Sequence, residues 1–179
     1  MKANFLKIFK KNGGKGSALK EGIKAASGDF IVFQDADLEY DPNDFAKLLK
    51  PLLEKKANIS FGSRFEGKKL VLFGKEKTMH PMHWLGNKFL LLEFKLFYGT
   101  NLTDSEPCYK MFKSEILKKT DIVSDGFEYD IELMCKIAKQ GEKIIQLPIH
   151  YEPRGFDEGK KINWKDGVKA FFTMIKFRF

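Results

Sequence analysis

Apolar residues in this chain follow two alternating rhythms, one helical and one extended. Lys15 to Ser27 carries Ala18, Leu19, Ile23, Ala25 and Ala26 at helical spacing, which predicts a helix that stops at Gly28. Phe30-Ile31-Val32-Phe33 then forms a short uninterrupted apolar run, the pattern of a central parallel strand covered on both faces. Asp41-Pro42-Asn43-Asp44 predicts a second helix start, with Asp41 as N-cap and Pro42 in the first turn. That helix continues through Leu48, Leu49, Leu52 and Leu53, with Pro51 as a candidate kink. Asn58 to Phe61 reads as a strand, and Tyr129–Gln140, Gly141 and Lys143–Tyr151 repeat the helix-then-strand order. Strands alternating with helices predict an α/β sandwich.

The last segment differs. Trp164 to Phe179 places Val168, Phe171, Phe172, Ile175 and Phe179 at helical spacing, with Lys165, Lys169, Lys176 and Arg178 between them. Such a basic amphipathic helix suits a membrane interface, and equally suits docking on the protein's own core. The 179 residues contain no repeat, low-complexity linker or internal boundary, so residues 1–179 are expected to form one domain.

Composition narrows the partners. A net charge of +8 fits ligands that carry phosphate, whether nucleic acid, nucleotide-sugar or anionic lipid. No nucleic-acid motif accompanies it, and no nucleic-acid partner is expected. Cys108 and Cys135 are too widely spaced for a CxxC site and too few for a disulfide scaffold, which suggests reduced core thiols. Met1 to Asn12 is lysine-rich without an apolar signal region. The densest apolar stretch, Met82 to Tyr98, is interrupted by Lys88, Glu93 and Lys95, so no spanning helix is expected. The sequons at Asn58 and Asn101 are read as chance matches in the absence of a secretion signal.

Candidate chemistry centres on Asp35-Ala36-Asp37, directly after the apolar strand and followed by Leu38-Glu39. In open α/β sheets ligands bind beyond the carboxyl ends of the strands. Carboxylates gathered there call for a cation or a basic partner. Hard oxygen donors suit Mg²⁺ or Mn²⁺, which can bridge the phosphates of a nucleotide-sugar and act as a Lewis acid. A solvated acidic turn is the competing reading of a bare DxD. An EF-hand is excluded, because it would need Gly at Tyr40 and Glu at Ala46. Asn12-Gly13-Gly14-Lys15-Gly16-Ser17 is not a Walker loop, yet a glycine-rich helix start bearing a lysine can receive an anion or serve only as a flexible entry.

Taken in order, several blocks resemble the family 2 glycosyltransferases, in particular the dolichol-phosphate mannosyltransferase-like branch. They are Asn12 to Leu19, Gly28-Asp29, Gln34 to Pro42, Gly62 to Phe65, Thr103 to Lys110, Gly126 to Glu128 and Glu158 to Gly167. The resemblance implies a GT-A fold, with a mostly parallel sheet flanked by helices, and inverting transfer from a nucleotide-sugar, often to a polyprenyl phosphate. It places Asp35, with Lys15 and Gly14, at the donor, and Asp37 and Glu39 on Mg²⁺ or Mn²⁺; many relatives carry Gln where Glu39 stands. Asp37 and Asp104 would be catalytic, Asp104 orienting or deprotonating the acceptor. Arg64, His83 and Asn87 would meet the acceptor phosphate, for which a bidentate guanidinium is apt. His80 falls in the same region. His80 and His83 do not make a zinc pair, since Pro81 disturbs the helix and no third ligand is evident. Helix-start charge accounts for Glu128 and Asp130. Arg154, Lys160 and Lys161 read either as diphosphate contacts or as a solvated basic loop.

The family opens with two strands ahead of the Asn12 block, whereas Met1 to Lys11 is too short for them. The expectation is a sheet lacking its first strands, with its edge open to aggregation or to a partner chain that supplies them. Two classes of function follow. One is a metal-dependent glycosyltransferase peripheral to the cytoplasmic face of a membrane. The other is a non-catalytic fragment that binds a partner chain or lipid phosphate.

Overall fold

The structure, a computed structural model, describes residues 6–66, 71, 81–152 and 164–179, and their side chains except those of 82, 83 and 164–166. His80, Arg154, Lys160 and Lys161, together with the side chain of His83, lie outside the described residues.

The elements run α1 (Lys15–Ala25), β1 (Phe30–Val32), α2 (Asp44–Leu53), β2 (Ile59–Ser63), α3 (Pro81–Tyr98), β3 (Lys110–Lys113), α4 (Ser114–Lys119), α5 (Tyr129–Lys139), β4 (Ile144–Pro148) and α6 (Trp164–Arg178). The four strands form one sheet in the order β1-β3-β2-β4. β4 pairs parallel to β2, while β3 runs antiparallel to both β1 and β2. Three strands therefore point one way, but two of the three pairings are antiparallel. The sheet is mixed, with β3 reversed among strands that otherwise run the same way. The reversed strand follows from Lys110–Lys113, which threads between β1 and β2 with Met111 opposite Val32 and Ser60.

Alternation along the central strands divides the core. Ile59, Phe61 and Phe112 face a layer with α5, which contributes Ile131, Leu133, Met134 and Ile137. Met111 and Tyr109 face α2, where Leu48 and Leu52 are buried with Tyr40 and Ile149. Ser60 points to the α2 side and stays satisfied by donating to the Leu48 carbonyl at 2.6 Å. The side-chain direction of a strand reverses with each residue, so one short strand serves two cores.

Several expected boundaries move. α1 ends at Ala25 and is capped by Ala26, whose N–H bonds to the Gly22 carbonyl, before Gly28 is reached. α2 begins at Asp44 after Asn43, and no side chain caps it. Asp41 instead accepts the Asn43 amide at 2.9 Å, a local turn ahead of the helix. Pro81 opens α3 rather than disturbing it, because its missing N–H costs nothing in a first helical turn. α6 takes the expected docking role on the protein's own core and leaves a second face exposed. Ala170 and Met174 are buried in the core, while Val168, Phe172 and Phe179 are exposed.

Candidate active site

Beyond the ends of β1 and β2 the chain gathers its unusual charges. Lys15, in the first turn of α1, reaches across to Asp35, and Nζ lies 2.7 Å from Oδ2. Burial pulls the Lys15 ammonium down, but the hydrogen bond and charge of Asp35, helped by Asp130, outweigh it and the net shift is upward. Lys15 is thus held cationic. The Asp35 amide donates to Cys108 Sγ at 3.2 Å, which ties the strand end to the loop before β3. Burial, then the Asp35 charge, push the Cys108 thiol up to about 12, so it is not a nucleophile here.

Asp37 Oδ1 accepts the Glu39 amide at 3.2 Å. The residue between them, Leu38, is exposed and has φ 62, a left-handed conformation that a branched apolar side chain seldom adopts. Strain of this kind persists where surroundings enforce it, and here the turn folds Glu39 back toward Asp37. The Glu39 carbonyl in turn accepts from Glu152, and Tyr40 bridges to Tyr151.

Asp104 is fully buried. Arg64 donates to it three times: backbone N to Oδ2 at 3.1 Å, Nε to Oδ2 at 2.7 Å, and Nη2 to Oδ1 at 2.7 Å. The guanidinium also lies 5.3 Å from the Tyr151 ring centroid, a cation–π contact. Sequence reasoning gave Arg64 and Asp104 separate tasks; the structure joins them.

The loop carrying Asp104 is pinned from two sides. Gln146, from β4, accepts from the Thr103 amide and hydroxyl, and its Nε2 donates to the Asp104 carbonyl at 2.8 Å. Asn87, from α3, accepts the Ser105 amide at 2.9 Å and hydroxyl at 2.7 Å. Asn87 is accordingly behind the loop. Its Nδ2 is buried without a hydrogen-bond partner.

Gly14 and Gly16 are explained by close approach. A Cβ on Gly14 would lie 2.3 Å from the Asp125 carbonyl oxygen, and one on Gly16 would lie 2.5 Å from that of Ser124. The Asp125 carbonyl also accepts the Ser17 amide, so the 124–126 loop covers part of the α1 start.

Sequence reasoning missed Glu106, Lys110, Gln146 and the place of Asp130. Lys110 is 1% exposed and donates to Asp130 Oδ2 at 2.9 Å and to the Pro107 carbonyl. Burial, reinforced by the Asp130 charge, pushes Glu106 up to about 7, against the pull of Lys110 and Arg64. An acid at fixed spacing after Asp104 was visible, but nothing local marked its environment.

Among the described residues no three His, Cys, Asp or Glu side chains lie together as a ready cation cage. Asp37 and Glu39 carry hard oxygen donors of the kind that Mg²⁺ takes together with phosphate and water.

Comparison with known proteins identifies the family and the fold. The family described as Glycosyl transferase family 2 matches residues 4–121. The low-salt glycan biosynthesis hexosyltransferase Agl6 of Haloferax volcanii is 31% identical over 142 residues, covering 79% of this chain and 33% of its own. The undecaprenyl-phosphate mannosyltransferase of Micrococcus luteus is 27% identical over 136 residues, covering 74% of this chain and 53% of its own. The fold resembles glucosyl-3-phosphoglycerate synthase from Mycobacterium tuberculosis in complex with Mn²⁺, UDP-glucose and phosphoglyceric acid, with TM-score 0.63, 20% identity, and coverage of 92% of this chain and 55% of that one. The chain thus spans about half the length, or less, of these relatives. With the GT-A-like fold and a family match over more than half its residues, the chain belongs to glycosyl transferase family 2.

Proposed function

We propose that this chain moves a sugar from a nucleotide-sugar to a polyprenyl (dolichyl-type) phosphate by inverting transfer, assisted by Mg²⁺ or Mn²⁺, at the cytoplasmic face of a membrane. The supporting observation is the placement of two ion pairs, Lys15–Asp35 and Arg64–Asp104, beyond the ends of β1 and β2, two strands that run the same way. Similarity to a mannosyltransferase named for undecaprenyl phosphate supports the acceptor class.

In this reading Asp35 orients Lys15, whose ammonium meets the negative charge of the donor diphosphate. Asp37 and Glu39 hold the cation, which supplies Lewis-acid stabilisation of the departing diphosphate. Gly14 serves the donor indirectly, by letting α1 approach the 124–126 loop so that Lys15 is placed. Asp104 fixes Arg64 with two parallel bonds, which occupy two of the five guanidinium N–H donors; Tyr151 engages part of the remainder, and the rest would meet the acceptor phosphate. Both Asp104 oxygens are engaged, so it positions and needs to take no proton; an acceptor phosphate is already ionised and requires little base catalysis. Asn87 acts from behind the loop, and His83 is proposed from sequence resemblance alone.

The test is sugar transfer from a panel of nucleotide-sugars to a short-chain polyprenyl phosphate with Mn²⁺. Asp37→Ala should reduce transfer at least about 100-fold, as expected for an electrostatic catalytic group. Leu53→Glu, on the exposed side of α2, should leave it unchanged. A second reading, a fragment that binds a partner strand without catalysis, draws on β1, which lies at the sheet edge. Folded protein with no transfer, or transfer indifferent to Asp37→Ala, would favour that reading.

A further inference from the structure

The helices α3 and α6 share a surface that the sugar-transfer site does not use. On α3, Leu85, Phe89, Leu92 and Leu96 are all exposed, and their spacing of four, three and four places them on one stripe. On α6, Val168, Phe172 and Phe179 form a second exposed stripe. The two meet along their inner edges. Phe89 and Phe171 have ring centroids 5.7 Å apart, and Phe97 and Phe179 have theirs 6.4 Å apart. Eight residues separate the contacts on each helix, so α3 and α6 run side by side in the same direction. Half of the large apolar side chains exposed among the described residues belong to this pair of stripes.

Charge is arranged around it with one sign. Successive residues turn by about 100° on a helix, which sets Lys88 and Lys95 on the flank of α3 away from Phe89. By the same rotation Lys169 and Lys176 lie on the flank of α6 away from Phe171. The apolar surface is therefore two helices wide with lysines along both outer edges. Lys88 also lies 5.9 Å from the Trp84 ring centroid, placing an aromatic ring and an ammonium together at one border. The single acid of α3, Glu93, is 5% exposed and turned inward.

We propose that this composite face docks on an anionic lipid bilayer, lying in the headgroup boundary with its phenylalanine and leucine side chains inserted and its lysines against lipid phosphate. A second copy of the chain is the poorer occupant. A two-fold contact through the same stripes would bring a lysine-edged surface against an identical one, with no exposed acid among the described side chains of either helix to pair with it. Asn87, on the opposite side of α3 from the stripe, holds the Ser105 amide and hydroxyl. The bilayer boundary is then about one helix diameter, ~10 Å, from the Asp104 loop. Resting on the polyprenyl-phosphate reading above, this brings a membrane-anchored acceptor phosphate to the site without extraction of its lipid tail.

Flotation of the full chain with vesicles tests the docking independently of catalysis. Vesicles of phosphatidylcholine with 30 mol% phosphatidylglycerol, about the anionic share of a charged membrane leaflet, should capture the protein, and pure phosphatidylcholine about tenfold less. Leu92→Glu with Leu96→Glu should lower capture about tenfold, as should Lys88→Gln with Lys95→Gln, while Leu53→Glu should not. Circular dichroism on each variant confirms folding, and the lysine pair, fully at the surface, keeps the test open if the leucine pair unfolds. Equal capture of wild type and either folded variant overturns the proposal. So does a concentration-dependent dimer, seen by sedimentation, that Leu96→Glu dissociates, since the stripe is then covered by a second copy. Transfer to a water-soluble short-chain acceptor separates the two readings: its loss condemns the enzymatic assignment, and lost flotation alone condemns the surface.

Discussion

Arg64 and Asp104, 40 positions apart in sequence, meet through a two-bond fork of 2.7 Å each, and Asp104 is completely shielded from water. A carboxylate so buried is tolerable only because the guanidinium and the Arg64 amide satisfy it. Asp104→Ala should therefore leave Arg64, whose side chain is 14% exposed, as an uncompensated buried cation. The expected loss is about 3–5 kcal/mol of stability, read by urea denaturation. Arg64→Lys keeps the charge and loses the fork, so it should cost less stability but still weaken acceptor use. A stability loss below about 1 kcal/mol for Asp104→Ala would contradict the shielded pairing.

Gly14 and Gly16 should resist substitution for reasons of space. Gly14 has φ 101, and each would drive a Cβ into a backbone carbonyl of the 124–125 segment. Alanine at either position is expected to cost about 2–4 kcal/mol, measured by thermal denaturation. Gly22→Ala, with no atom within 4 Å of its added Cβ, should be neutral or slightly stabilising. Equal effects at all three would argue against the packed α1 start.

Glu93 carries two buried carboxyl oxygens without hydrogen-bond partners, and burial pushes it up to about 7. The sign follows from linkage. Its folded value is above the unfolded one, so the native state holds the proton more tightly, and stability falls as pH rises from about 4.5 to about 7. Above that window the cost is constant. Glu93→Gln should raise stability at pH 8 by about 1–3 kcal/mol, and the gain should shrink toward pH 4. Parallel stability–pH curves for wild type and variant would contradict the burial.

Lys15 and Asp35 are each about 30% exposed, so their pair should add little to stability. Its effect belongs to ligand binding. Lys15→Met is expected to weaken nucleoside diphosphate affinity about tenfold or more, with thermal stability changed by less than about 1 kcal/mol. Fluorescence titration of a labelled nucleotide reads the first and a melt reads the second.

Much of the fold was legible because its elements announce themselves locally. The leucines of α2 and the Tyr129–Lys139 helix lie where their periodicity placed them, within a few residues, whereas the Phe30–Phe33 run is a strand as read but pairs antiparallel at the sheet edge rather than parallel at its centre. β3 and α4 were not legible. Lys110 and Lys113 bracket only two apolar residues, and a lysine reads as surface unless its distant partner, Asp130, is known. Pro81 misled because a proline that breaks a helix interior is welcome at its first turn. The carboxylates at the end of β1 were readable from strand-end chemistry. The Arg64–Asp104 fork and the Gln146 clamp were not, since both are made by strands and loops that meet only after the sheet assembles.

The most direct measurement is calorimetric titration of nucleoside diphosphates into the folded protein, with Mn²⁺ and with a chelator, for wild type and Asp37→Ala. The glycosyl-transfer account expects binding that requires the cation and is lost in Asp37→Ala. Binding that persists with chelator and in Asp37→Ala, or no binding by protein shown to be folded, would contradict it.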